Sequence, residues 1–192
     1  MTFTIDFNQL ARVAKLVALL GFLLPWVTVS CSGTEILTAT GLQLMTGEPQ
    51  LAGPLAGMAE SQQRDDAEPS IVVIAAFAIA AIGLLVGLMT RGRAAATTML
   101  AAALLAAGLS YFSIENMRQE MRRELASETS QQAPEENPFF SADQQRQMSQ
   151  AVASSIRVVE EEGYYLTLGA LLLSALFALL TLFTRRTTPE TS

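Results

Sequence analysis

The side chains that usually carry out catalysis or hold a metal ion are scarce in this sequence. It contains no histidine and a single cysteine, so a histidine base and a Cys/His metal site are both excluded. No HExxH, GxSxG or Walker pattern occurs. Three carboxylate clusters lie in polar segments typical of a solvated surface: Asp65-Asp66, Glu135-Glu136 and Glu160-Glu161-Glu162. An alternative for the last cluster is a divalent cation that bridges it to lipid phosphate. Otherwise we expect no catalytic, cofactor-binding or metal-binding residues, and no enzyme.

The segment that leads to Cys31 has two interpretations. Arg12 and Lys15, the apolar stretch after them and the cysteine resemble a bacterial lipoprotein signal. That pattern has Leu, Val or Ile at the third position before the cysteine, where this chain has Thr28. We therefore expect an uncleaved first membrane helix. The Cys31 thiol then lies just outside the membrane, where it is free, acylated or in an intermolecular disulfide.

The elements that must position these residues follow from an unusual charge distribution. Of 192 residues, 51% are hydrophobic and 16% charged, whereas a soluble domain carries about 25% charged residues. The net charge of −6 disfavours binding to nucleic acid. Four uncharged blocks occur, and a hydrocarbon core needs about 17–25 helical residues. The last three blocks reach that length, whereas the first reaches it only if Val13 and Ala14 join it and the side chain of Lys15 extends to the membrane interface. We predict an all-α membrane protein, a four-transmembrane-helix bundle with helices over 13–30, 70–90, 94–114 and 163–184.

Basic residues predict the orientation of this bundle. Segments 1–12, 91–93 and 185–192, with Lys15, carry a net charge of +4, whereas 31–69 and 115–162 together carry −10. Because Lys and Arg in short loops remain on the cytoplasmic side, both termini are predicted to be cytoplasmic. Arginine outnumbers lysine eleven to one, which is typical of a high-GC genome and favours a bacterial cytoplasmic (inner) membrane. The arginines that mark the cytoplasmic side are Arg91, Arg93, Arg185 and Arg186.

The two extracytoplasmic segments predict different structures. β-branched residues alternate on both sides of Ser32-Gly33, which indicates a short β-hairpin after the first helix. Within 115–162, apolar residues recur at helical spacing on both sides of a proline-containing turn, which predicts a long helical hairpin between helices 3 and 4. Each apolar face either closes on the other or contacts another protein. The interface candidates are Met117, Met121, Phe139, Phe140, Met148 and Val152, and the continuation of the second face is Ile156 and Val159.

The apolar blocks favour helix packing over transport. Small residues four positions apart let two membrane helices approach closely. The last three blocks contain no Asp, Glu, Lys, Arg or His, and such residues mark most ion and proton pathways. Trp26 beside Pro25 is typical of an anchor at the level of the lipid headgroups. The predicted helix-packing residues are Gly83, Gly87, Ala170, Ser174 and Ala178.

Trp26, Cys31 and the order of the spans resemble the claudin-like four-span (tetraspan) architecture. The resemblance implies cytoplasmic termini, a first outer segment with a β-hairpin and a second outer segment between spans three and four. It covers the spans better than the loops, because the family has two cysteines and a Gly-Leu-Trp motif where this chain has one cysteine and no such motif. Shared architecture does not determine function.

Taken together, these patterns predict a non-enzymatic integral membrane protein that acts as an accessory or scaffold subunit. Its partners are expected to be membrane lipids and either other membrane-protein subunits or further copies of itself. The alternatives are a small channel or transporter-like protein, and a sensor of the state of the cell envelope.

Overall fold

The computed structural model describes residues 7–53, 68–90, 92–131 and 155–184. Four helices make up most of this part of the chain: α1 Phe7–Gly21, α3 Ile71–Met89, α4 Arg93–Gln131 and α5 Glu162–Thr184. Three of them, α3, α5 and the Arg93–Glu120 part of α4, are long and apolar enough to cross a membrane. The predicted helical architecture with membrane-length apolar helices is confirmed at this level.

The four helices alternate in direction, and their buried side chains form three layers along the bundle. At one end α1, α4 and α5 meet through Ala11, Met99 and Ala178. The middle layer consists mainly of alanine, with Ala18 and Ala80 among its members. The remaining layer contains larger side chains from the helices and the first strand: Phe22, Trp26, Val27, Val73, Ile114 and Tyr164. We call the first end the turn end, because α3 ends and α4 begins there, and we call the opposite end the sheet end.

Burial in this bundle is the reverse of that in a soluble protein. Away from the large side chains of the sheet end, alanine, glycine, serine and threonine fill most of the interior, whereas leucine and isoleucine cover the outside. The exposed large residues on α3 alone include Ile71, Ile82, Leu85 and Leu88. Small residues allow close approach of the helix backbones. The large apolar side chains remain available for contact with lipid.

A four-stranded antiparallel sheet covers the sheet end. Its strands are β1 Pro25–Cys31, β2 Thr34–Thr40, β3 Gln50–Leu51 and β4 Ile156–Glu160, in the order β3-β2-β1-β4, with the short helix α2 Gly41–Thr46 after β2. The predicted β-hairpin is present as β1 and β2. Ser32 and Gly33 form its turn with φ angles of 52° and 84°. Positive φ at both central residues gives the turn a twist that matches the flanking strands, and glycine adopts it without strain.

The first helix differs from its predicted position at 13–30. Helix α1 spans Phe7–Gly21, and Pro25–Cys31 is strand β1. Pro25 has no N–H to continue the helix, and the β-branched residues after it favour a strand. The second and fourth helices lie close to their predicted ranges, at Ile71–Met89 and Glu162–Thr184.

The outer segment between α4 and α5 agrees with the sequence prediction in part. Helix α4 runs unbroken from Arg93 to Gln131, a length of about 58 Å, so it continues beyond its apolar part as expected. The prediction of a helix at Ile156 and Val159 was wrong, because Ile156–Glu160 is strand β4. It pairs with β1 from Val27 to Cys31. The β-branched residues of Ile156–Glu160 favour a strand, and its pairing covers an edge of β1 that would otherwise be unpaired.

Candidate functional site

The most unusual chemistry in the described structure lies on the inner face of α1. Ala11, Ala14 and Ala18 form a small-residue stripe there at helical spacing, and two cations belong to the same face. Arg12 is partly buried, and Lys15 has 0% of its surface exposed. Leucines occupy the opposite face. An ionisable group inside a membrane helix bundle is costly, so its position indicates a function or a specific structural contact.

Lys15 contacts the pair formed by α3 and α4. Its Nζ donates a hydrogen bond to the carbonyl oxygen of Met99, at 3.0 Å. Gly83 faces the same ammonium group, and a Cβ at Gly83 would lie 3.0 Å from Nζ and against the Cβ of Ala102. The absence of a side chain at Gly83 therefore provides the space that both the lysine and α4 occupy.

Arg12 makes a parallel contact one helical turn closer to the turn end. Its Nη2 donates to the carbonyl oxygen of Gly87, at 2.7 Å. Its Nε is buried and has no hydrogen-bond partner among the described residues. Gly87 packs against Met99, since a Cβ there would lie 2.6 Å from the sulfur. Gly83 and Gly87 form a GxxxG segment on α3. Arg12 thus bonds to Gly87, whereas Lys15 lies beside Gly83 and bonds to Met99 on α4.

Helix α5 holds the other side of α1 through a hydroxyl group. Ser174 is completely buried, and its Oγ donates to the carbonyl oxygen of Ala11 at 2.9 Å. Thr167 and Thr181 lie on the same buried face of α5, where each donates to a carbonyl oxygen of its own helix. Polar groups in the interior are therefore paired mainly with backbone oxygens.

No carboxylate neutralises Arg12 or Lys15 within the described ranges. In that part of the chain an ion pair joins Arg118 of α4 to Glu160 of β4, at the sheet end. Among the described residues, Lys15 Nζ donates to one carbonyl oxygen and Arg12 Nη2 to another, whereas Arg12 Nε has no partner there. Such a site favours an anion or a polar oxygen as its ligand.

The described residues contain no group of three potential metal ligands. Cys31, at the end of β1, is a free thiol whose Sγ lies 3.2 Å from Ser155 Oγ. Ser110 on α4 is buried, and its hydroxyl has no partner among the described residues.

The five residues expected to serve helix packing lie at or near the helix contacts. Gly83 and Gly87 face α4, as their close neighbours Ala102 and Met99 show. Ser174 and Ala178 are buried on α5, whereas Ala170 is partly buried beside the middle layer. All five therefore contribute to packing within this chain.

Trp26 occupies a position unlike that of the expected headgroup anchor. Its ring is completely buried between Phe22, at a centroid distance of 4.6 Å, and Tyr164, at 5.8 Å. Its indole N–H donates to the carbonyl oxygen of Gly21, at 3.0 Å. The ring therefore packs the start of the sheet against the end of α1 and the start of α5. Protein surrounds it, whereas a headgroup anchor would contact lipid.

Few of the predicted interface and topology residues have described side chains. Met117 packs against the aromatic layer of the sheet end, and Arg93 is exposed at the turn end. Met121 lies in α4, but its side chain is outside the description. The remaining candidates lie outside the described residues: Arg91, Phe139, Phe140, Met148, Val152, Arg185 and Arg186.

Sequence reasoning missed the buried position of Lys15. The sequence suggested that this side chain would extend to the membrane interface, but the structure encloses it completely. A usable signal was present, because Ala11, Ala14 and Ala18 place Lys15 on a small-residue face. A small-residue face usually packs against another helix, so a cation on it is expected inside.

Lys15→Met is expected to change the free energy of unfolding by no more than about 1 kcal/mol. Methionine has a similar length, and it exchanges one hydrogen bond for relief from burying a charge, two effects of opposite sign. The measurement is unfolding in mild detergent by titration with sodium dodecyl sulfate, followed by circular dichroism. A loss above about 3 kcal/mol would show that the ammonium is a major source of stability.

Comparisons with known proteins add no relative. No protein-family model matches the chain, and no curated protein matches it. The resemblance to the claudin-like architecture therefore stays a prediction that rests on Trp26, Cys31 and the order of the elements.

Proposed function

We propose that this protein is a four-span integral membrane protein that serves as a non-enzymatic accessory or scaffold subunit. The observation that carries the proposal is the reversed burial of its helices. Away from the sheet end, small and polar residues form most of the interior of the bundle, and leucine and isoleucine cover the outside. An exposed apolar surface of this extent in water would cause aggregation, whereas in a bilayer it is the expected surface.

Helix α1 is proposed as the fourth span, although its 15 residues are shorter than those of the other three. Its outer face has the same character, since Val13, Leu16 and Leu20 are all more than half exposed. The chain continues from Gly21 through the exposed Leu23 and Leu24 to β1. A short span of this kind is accommodated by local thinning of the bilayer or by neighbouring helices.

The accessory role is supported by where the structure extends beyond the membrane helices. The small sheet and the polar continuation of α4 lie together at the sheet end, joined by the contact between Arg118 and Glu160. This outer region is the surface through which another protein would be recognised. Partners within the membrane would instead contact the leucine-covered faces.

We expect both termini on the cytoplasmic side of a bacterial inner membrane. The turn end carries Arg12, Lys15 and Arg93, and the positive-inside rule places such a cluster in the cytoplasm. Reporter fusions after Ser192 and within 131–140 should report opposite compartments. Fusions that report the same compartment would contradict the four-span topology.

The accessory role is tested by purification of the tagged chain from its native membrane in mild detergent. We expect defined partner subunits, or further copies of this chain, to be recovered in fixed ratio. A matched control is an unrelated four-span protein of similar abundance carrying the same tag. Recovery of the chain as a monomer, with the same background as the control, would contradict the proposal.

A small anion channel or transporter-like protein is the second candidate. The observation that favours it is the pair of cations inside the bundle, because intramembrane charges commonly mark transport pathways. Chloride flux into vesicles containing the purified protein distinguishes this candidate from the accessory role. The channel candidate requires a chloride flux through the unmodified protein that the Lys15→Met substitution abolishes.

A further inference from the structure

We propose that Tyr111 of α4 and Tyr165 of α5 hold the sheet end of the bundle at the level of the lipid headgroups. The inference rests on the membrane location in the proposed function, and it assigns the headgroup contact that the sequence predicted for Trp26 to two other residues. The partner is the interfacial layer of a phospholipid bilayer, which contains its glycerol, ester carbonyl and phosphate groups.

Both tyrosine rings lie on the outer surface of the bundle. Tyr111 is 63% exposed and Tyr165 is 60% exposed, whereas the neighbouring Tyr164 is buried. Each exposed ring has an apolar body and a polar hydroxyl, a combination that favours the boundary between membrane and water. From these rings towards the turn end, the exposed large apolar side chains of α4 and α5 are leucines, up to Phe183 near the end of α5. The two tyrosines therefore border a surface that suits acyl chains.

The two tyrosines lie at the same height although they belong to different helices. Met99 of α4 and Ala178 of α5 are members of one buried layer at the turn end. From that layer, at 1.5 Å per residue, α4 reaches Tyr111 after about 18 Å and α5 reaches Tyr165 after about 20 Å. Two exposed amphipathic rings at one height are expected where the headgroup layer surrounds a helix bundle.

The side chains change from apolar to charged at this height. On the sheet side of the tyrosines, α4 carries Glu115 and Arg118, and α5 begins with Glu162. On the other side, α4 contains no Asp, Glu, Lys or Arg until Arg93. The part of α4 from Arg93 to Tyr111 is about 27 Å long, close to the roughly 30 Å of a hydrocarbon core. The headgroup level therefore fits at the tyrosines.

Tyr165 also connects this surface with the buried aromatic layer. Its ring centroid lies 5.5 Å from that of Tyr164, which in turn lies 5.8 Å from that of Trp26. Because Trp26 lies in β1, a headgroup contact at Tyr165 holds the sheet next to the membrane surface.

Spin labels measure this level in vesicles of phosphatidylcholine. In the full chain with Cys31→Ser, a nitroxide is attached to one new cysteine at a time, Phe112→Cys beside Tyr111 or Leu166→Cys beside Tyr165. The matched controls are Leu105→Cys and Leu173→Cys, which lie about 10 Å closer to the turn end on the same helices. The four native side chains are similarly exposed, at 43–59%.

We expect the labels beside the tyrosines to collide with a water-soluble nickel complex, relative to oxygen, at least about threefold more often than the controls. Equally low nickel access at all four positions would place the headgroups beyond the tyrosines, towards Arg118, and would overturn the proposal.

Substitution of the rings tests whether they hold this level. In the Leu166→Cys chain, the pair Tyr111→Leu and Tyr165→Leu extends the apolar surface, so nickel access of the label should fall by at least about half. The pair Tyr111→Trp and Tyr165→Trp keeps amphipathic rings and should retain the original value. Equal values for the two pairs would overturn the assignment. Both pairs replace exposed side chains, and circular dichroism checks that each variant keeps its helices.

These outcomes separate the inference from the proposed function. Labels at Leu105 and Leu173 that are as accessible to the nickel complex as a label in water would show that α4 and α5 do not cross the bilayer, and both proposals would fail. Controls within the hydrocarbon core, together with equally deep labels beside the tyrosines, would contradict the headgroup contact alone.

Discussion

Trp26→Ala is expected to lower the free energy of unfolding by about 3–5 kcal/mol. The indole ring is completely buried in the layer that joins the helices to the sheet. Its removal leaves a cavity between Phe22 and Tyr164, and it also removes the hydrogen bond to the carbonyl oxygen of Gly21. The measurement is unfolding in mild detergent followed by far-ultraviolet circular dichroism, which does not depend on the fluorescence of the tryptophan.

Tyr165→Ala is the matched control for this substitution. Tyr165 lies near the same layer, but 60% of its surface is exposed, so its loss is expected to cost less than about 1 kcal/mol. A loss for Trp26→Ala that does not exceed the loss for the control would contradict the buried position of the ring. It would instead support the headgroup anchor that the sequence suggests.

Gly83→Ala is expected to cost about 1–3 kcal/mol. The added methyl group would overlap the Cβ of Ala102 on α4 and would lie 3.0 Å from Nζ of Lys15. Helices α3 and α4 would have to separate, and the lysine would lose part of its space. The free energy of unfolding in mild detergent measures this loss.

Gly108→Ala is the control, because no atom outside the neighbouring backbone of α4 lies within 4 Å of a Cβ at that glycine. We expect its effect to be neutral or slightly stabilising, since alanine favours a helix more than glycine does. Equal losses in the two variants would show that Gly83 lacks the close contact with α4. In that case the GxxxG segment would be available for a contact outside this chain.

The sequence was informative where one local rule determined the structure. Ser32-Gly33 between β-branched residues predicted the hairpin, because only a few residue types favour a two-residue turn with positive φ angles. The apolar blocks of α3 and α5 similarly predicted helices close to those observed. In both cases the deciding interactions lie within a short stretch of chain.

The sequence was misleading where a distant partner determined the structure. Ile156–Glu160 has apolar residues at positions compatible with a helix, yet it forms a strand because β1 provides an edge to pair with. Lys15 likewise suggested a charge at the membrane surface, but Met99 and Gly83, on two other helices, provide its enclosed position. Neither partner can be identified from the residues near these positions.

The packing of α1 against α5 determines when the protein can complete its structure during synthesis. The hydroxyl of Ser174 that binds Ala11, and the strand β4 that pairs with β1, both belong to the last part of the described chain. A ribosome makes α1 before these segments, so α1 must remain without these partners while the intervening residues are added. Contacts between such distant segments form late, since closing a long loop costs entropy. The earliest of the described helices is therefore among the last to reach its final position, and truncation of the chain before α5 would leave it without its main partner.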